Sequence, residues 1–186
     1  FTEQDPRALD GTAREAGVTV VPDAGIAAGF SSLLAAELAA QAPARLEIFV
    51  GGLPLRREPP WEYAAPFSPV DVVAEYERPA RLKRAGRAVA EPALSGCRPF
   101  RLPPGLVPEF PDGTALEAFL TDGLRSLLDL SVPEMAEFTL RYSGHAERFT
   151  ALRDSGALAG EQREATLATL FRAWRLRPGE AEFTHL

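Results

Sequence analysis

From Arg78 to Leu116 the chain is cut by proline and glycine into short apolar segments, Ala80–Lys83, Arg87–Ala90, Phe100–Leu102 and Leu106–Phe110. Segments this short cannot complete the three or four turns of an average helix, but they suit strands joined by tight turns. A middle third of this kind predicts a small antiparallel sheet, and the elements on either side must pack against it. The segments before and after carry helical periodicity: Phe30, Leu33, Leu34 and Leu38 within Ile26–Gln41, then Gly144–Ser155 and Gly160–Leu176, the last ended by Arg177-Pro178-Gly179. At 186 residues the whole is expected to be one α+β domain.

Further elements follow from local chemistry. Asp10–Ala16 reads as the end of a polar helix stopped by Gly17. Val18–Val21, β-branched and bounded by Gly17 and Pro22, predicts a buried strand, with Pro22–Gly25 as a turn. Leu46, Ile48 and Val50 alternate with Glu47 and Phe49 in a strand over Arg45–Val50. Leu55–Pro66 is an irregular loop holding Trp61 and Tyr63, of a length usually functional or mobile. Ser68-Pro69 is an N-cap followed by an N1 proline, opening a helix through Tyr76. Thr121 or Asp122 is expected to cap a helix through Leu124, Leu127 and Leu128, and Ala136–Tyr142 to form a strand with Phe138, Leu140 and Tyr142 on one side.

Composition narrows the function classes. Twenty basic against 26 acidic residues leave a net charge of −6, which argues against nucleic-acid binding as the main task. The longest apolar stretch, Ile26–Ala40, is interrupted by Ser31, Ser32 and Glu37, so no membrane span is expected. The lone Cys97 excludes an internal disulfide framework, and with two histidines a metal site would need distant carboxylates. Phe1–Asp10 has no apolar core of a secretory signal, and the cytoplasm is the default location.

Individual candidates are weak. His145 follows Tyr142-Ser143-Gly144 at a strand-to-helix junction and could exchange a proton near neutral pH, or simply cap a helix or sit on the surface. Arg141 could grip a carboxylate with its two-pronged guanidinium, but alternation against Leu140 and Tyr142 favours an outward-facing residue. No Gly-x-Ser-x-Gly elbow is present, Gly25 and Gly29 do not make a Gly-x-Gly-x-x-Gly, and Gly51-Gly52 is no phosphate loop. Glu117 and Asp122 have no spacing that marks a pair.

In combination the blocks carry more. Ala16–Gly25 with Gly29, Phe49–Pro54, Ser68-Pro69 with Glu75-Tyr76 and Arg78-Pro79-Ala80, Leu116–Phe119 followed by Thr121–Leu124, and Thr139–Glu147 occur in an order and spacing that resembles the saccharopine dehydrogenase family over about residues 13–186. The bacterial branch with saccharopine dehydrogenase-like and lysine 6-dehydrogenase-like proteins is the most similar. The resemblance implies a two-domain oxidoreductase using NAD or NADP. Its Rossmann domain binds the nucleotide, and its second α+β domain, similar to the C-terminal domain of glyceraldehyde-3-phosphate dehydrogenase, covers the substrate and builds a homodimer. It implies that residues 1–30 are the Rossmann tail and 31–186 the substrate and dimerisation domain. Asp23, Gly25 and Gly29 would lie where cofactor meets substrate, and Arg141, Tyr142, His145, Thr121 and Asp122 would line the amino-acid substrate's cleft. The nucleotide fingerprint itself is absent. With Phe1 in place of methionine and a strand-like stop at Leu186, that leads to the expectation that the chain is a piece of a longer enzyme. The alternative implied by the same fold is a non-catalytic dimeric scaffold or ligand-binding module.

Overall fold

The computed structural model describes residues 6–186. Its centre is β6 (Glu134–Tyr142), a strand with neighbours on both edges. On one edge lies β1 (Arg45–Pro54), parallel to it, with Arg45 opposite Glu134 and Val50 opposite Thr139. The other edge is shared. β5 (Ala115–Leu120) runs antiparallel to the second half of β6, Leu120 opposite Phe138 and Leu116 opposite Tyr142. β2 (Ala80–Arg84) touches the first half at Lys83 and Met135. β3 (Arg87–Glu91) hairpins onto β2, β4 (Arg98–Arg101) onto β5, and β7 (Glu182–His185) pairs antiparallel with the end of β1. The result is a mixed, largely antiparallel sheet of seven strands with helices packed on it, the α+β class that the sequence indicated.

The helices are α1 (Asp10–Ala16), α2 (Phe30–Ala39), α3 (Pro69–Glu77), α4 (His145–Asp154) and α5 (Arg163–Ala173). α3 begins as its sequence indicates: the Ser68 hydroxyl accepts from the Asp71 amide at 3.4 Å, and Pro69 occupies the first turn, where its missing N–H is harmless.

The sheet separates two apolar layers. One contains Leu46, Ile48, Leu116, Ala118, Met135, Phe138, Leu140 and Tyr142. The other joins Val72, Val73 and Tyr76 of α3 to Ala146 and Phe149 of α4, Leu170 of α5, Phe119 of β5, and Tyr63 and Trp174. Each layer buries many large side chains, at roughly 1.5–3 kcal/mol apiece.

Several local expectations are corrected. Val18–Val21 is not a strand: among the described residues nothing pairs with it, and Val18 and Val21 are 55% and 70% exposed. β-branched residues favour strands only where a neighbouring strand supplies hydrogen bonds and cover. The helix expected from Ile26 starts at Phe30, because Gly25–Gly29 closes into a turn with the Gly25 amide on the Ala28 carbonyl at 3.0 Å. Leu106–Phe110 is a string of turns. Thr121 and Asp122 cap no helix; a 3-10 turn at Arg125–Asp129 stands there instead. Residues 1–5 of the expected Rossmann tail lie outside the described residues.

Candidate functional site

β6 is buried along nearly its whole length, so both its faces meet protein. Ala136, Phe138, Leu140 and Tyr142 enter one apolar layer. By the period of two, Glu137, Thr139 and Arg141 form a stripe on the opposite face, beneath α3 and α4, and they are 6%, 5% and 2% exposed. The expectation that Arg141 faces outward fails because period-two reasoning assumes one wet face. A polar stripe inside a sheet domain is costly unless its groups find partners.

They do find partners. Arg141 Nε donates to the Tyr76 hydroxyl at 2.8 Å, Nη1 to the Leu140 carbonyl at 2.8 Å, and Nη2 to the Tyr63 hydroxyl at 3.3 Å. The guanidinium also lies over the Tyr63 ring, 4.4 Å from its centre. Tyr76 Oη sits 3.2 Å from His145 Nε2, and His145 Nδ1 lies 3.4 Å from the Trp61 carbonyl. A carbonyl can only accept, so Nδ1 carries the ring proton and Nε2 accepts from Tyr76. The bonds therefore run one way, from Arg141 to Tyr76 to His145 to the backbone of the 55–66 loop.

Packing fixes this chain. Trp61, Tyr63, Tyr76 and Trp174 all place rings within 6 Å of the His145 ring. His145 is wholly buried, and burial, aided by Arg141, pushes its pKa down to about 3. The neutral ring is the form that the Trp61 and Tyr76 contacts call for. His145 is set in place by Glu117 of β5, whose carboxylate accepts the Gly144 and Ala146 amides, both at 2.7 Å, and so caps α4.

At the other end of the stripe, the Thr121 hydroxyl is 3.2 Å from Glu137 Oε2 and 2.8 Å from the Thr139 hydroxyl. Thr121 has one proton; given to Glu137, it leaves its oxygen to accept from Thr139. Glu137 presses so close to Gly123 that a Cβ there would fall 1.8 Å from the carboxylate, so a larger residue would have to push the Glu137 side chain aside. Burial, and then the nearby Glu75 of α3, push Glu137 up to about 7. Glu75 is itself raised by burial, while Arg141 and Arg78 pull it back. Glu137 is thus a buried carboxyl group pushed up toward neutrality.

The other expected residues lie apart. Tyr142 shares no face with Arg141; its hydroxyl donates to the Pro54 carbonyl at 2.8 Å, under the Arg57 guanidinium. Asp122 clamps β2 by accepting from Arg81 Nε at 2.8 Å and Nη2 at 2.9 Å, with Arg78 at 3.4 Å. Asp23 pairs with Arg125 at 2.9 Å. Glu137 was not named by sequence reasoning, Glu117 was set aside for lack of a partner spacing, and Tyr63 and Tyr76 were named without a site role; a glutamate inside an apolar strand was the available signal for the two carboxylates.

The two turn glycines expected near the cofactor both use their amides internally: Gly25 N–H bonds the Ala28 carbonyl at 3.0 Å and Gly29 N–H the Ser32 hydroxyl at 3.3 Å. Among the described residues no group of three or more His, Cys, Asp or Glu could hold a metal ion, and no helix is long and apolar enough to cross a membrane.

The fold is therefore an α+β domain built on a mixed sheet that carries a buried polar stripe on one face of its central strand. Residues 25–184 match the family model described as saccharopine dehydrogenase C-terminal domain, and the chain belongs to that family of oxidoreductase domains. The fold is also similar to that of apo histidine-tagged saccharopine dehydrogenase (L-Glu forming) from Saccharomyces cerevisiae, with a TM-score of 0.59 and 22% sequence identity. That match covers 86% of this chain and 38% of the yeast one, so the chain spans well under half of its solved relative.

Proposed function

We propose that this chain is the substrate-covering and dimerisation domain of an NAD(P)-dependent oxidoreductase acting on the C–N bond of a lysine-like amino acid. The observation that supports it is the stripe on β6, cationic at Arg141 and carboxylate at Glu137, in a chain of this family. A lysine-like substrate carries a carboxylate and an amine at some distance. Residues four apart on a strand are separated by about 13 Å, so the stripe sets a cationic and an acidic group far enough apart to address two different ends of one molecule.

In this reading Arg141 and the two tyrosines address the carboxylate end, Arg141 keeping one N–H on each terminal nitrogen. Glu137 and Glu75 address the amine, with Thr121 orienting Glu137. Glu137, held near neutrality, is suited to accept a proton from that amine. His145 and Tyr142 act through their neighbours, and Asp122 holds β2 in register. NAD or NADP belongs to the part of the parent outside this chain and would meet it near Asp23, Gly25 and Gly29. The parent is a cytoplasmic homodimer in this reading.

The test is amino-acid-dependent reduction of NAD and NADP by the intact parent, with L-lysine and saccharopine as first substrates. Turnover, with Glu137→Gln lowering kcat and shifting its pH profile, is the expected result. No turnover with any amino acid, in a dimer that still binds one, overturns it in favour of a non-catalytic ligand-binding module.

A further inference from the structure

A second site lies behind the Tyr63 ring. A cavity of 430 Å³ opens between the 54–64 loop and the segment from Arg172 to Ala181. That volume is within the range of small-molecule sites. Arg56, Arg172, Arg175 and Arg177 line it, against Glu58 and Glu180. Arg56 and Arg177 share Glu58, at 2.8 and 3.4 Å, and Arg177 also lies 3.7 Å from Glu180. Arg172 and Arg175 have no carboxylate partner among the described residues. Four guanidiniums face two carboxylates, a surplus of two positive charges in a chain whose net charge is −6.

The back wall adds to the same sign. Tyr63 is 4% exposed and lines the cavity, and its hydroxyl accepts a hydrogen bond from Arg141, which has no ion-pair partner within 4 Å among the described residues. A buried cation behind a low-dielectric wall raises the positive potential in front of it. Ala64 and Ala173 take little room, which leaves space for a ligand.

We propose that this cavity binds a small dianion, held by Arg172 and Arg175, at a site distinct from the β6 stripe. A planar guanidinium can grip a carboxylate or a phosphate with two parallel hydrogen bonds, and two unpaired ones match two negative charges in one molecule. The chain's two tryptophans report on occupancy. Both Trp61 and Trp174 pack against Tyr63 or each other, and Trp174 lies between the cavity residues Ala173 and Arg175.

The experiment is a tryptophan-fluorescence titration of the 186-residue chain with inorganic phosphate and with succinate, against acetate and chloride at matched ionic strength. A saturable change with either dianion, weakened at least tenfold in an Arg172→Gln, Arg175→Gln double variant whose melting transition is unchanged, is the expected result. Both side chains are exposed, so the variant should fold. A response to phosphate alone or to succinate alone assigns the ligand as a phosphate or a dicarboxylate. Dianions acting no better than acetate, or a double variant titrating like the wild type, overturn the proposal. Neither outcome depends on whether the parent oxidises an amino acid.

Discussion

Replacing Glu137 with glutamine should make the stability of this chain acid-sensitive. Glu137 rises from 4.5 to about 7 on folding, so its contribution is complete below pH 4.5 and fades as the pH climbs through 7. Over the interval from pH 7 to pH 5 this linkage strengthens the fold by about 2 kcal/mol. His145 works the other way. Its pKa falls from 6.5 to about 3, so its contribution is complete above pH 6.5 and is lost as the pH drops toward 3. From pH 7 to pH 5 that loss is also about 2 kcal/mol. The two nearly cancel in the wild type, and Glu75, raised as well, leans toward Glu137's side. Glutamine keeps the size of Glu137 and an oxygen for Thr121 and Gly123, but carries no titrating proton. Urea unfolding at pH 7 and pH 5, with the slope checked for constancy, reads the difference. The gap between wild type and variant should change by about 2 kcal/mol, in the variant's favour at pH 7. Parallel pH profiles would refute the reasoning, because Glu137 would then titrate alike folded and unfolded.

Two further perturbations follow from the same network. Tyr76→Phe keeps the ring against Phe119 and Phe149 but removes the hydroxyl between Arg141 and His145, and should destabilise by about 1–3 kcal/mol in chemical denaturation. An unchanged midpoint would mean that the hydroxyl bridges nothing. Glu117→Ala leaves the first amides of α4 without their acceptor and should cost about 1–2 kcal/mol, with faster hydrogen exchange at Gly144 and Ala146. Unaltered exchange at those amides would show that α4 is held from elsewhere.

Much of this architecture was legible in the chain. Ser68-Pro69, the turn-punctuated middle and the alternation of Phe138, Leu140 and Tyr142 are local signals, and local physics decides them. Arg141 was misplaced because its neighbours along the strand say nothing about a second layer, whose Tyr76 α3 brings from 65 residues away. The Trp61 carbonyl meets His145 across 84 residues, so the loop was visible while its task was not. Val18–Val21 shows the converse error: intrinsic preference without a partner strand.

The one-way order of the bonds from Arg141 to the 55–66 loop bears on how the domain can vary. The apolar layer around Leu46 and Leu140 can exchange one aliphatic side chain for another at modest cost, since shape there is negotiable. Along the stripe each group is defined by the proton its neighbour gives or takes, so no member can be altered by itself without stranding the next. Mutational scanning of this sheet should therefore divide by face. One side should accept single substitutions freely, while the other should recover from a first change only through a matching second one.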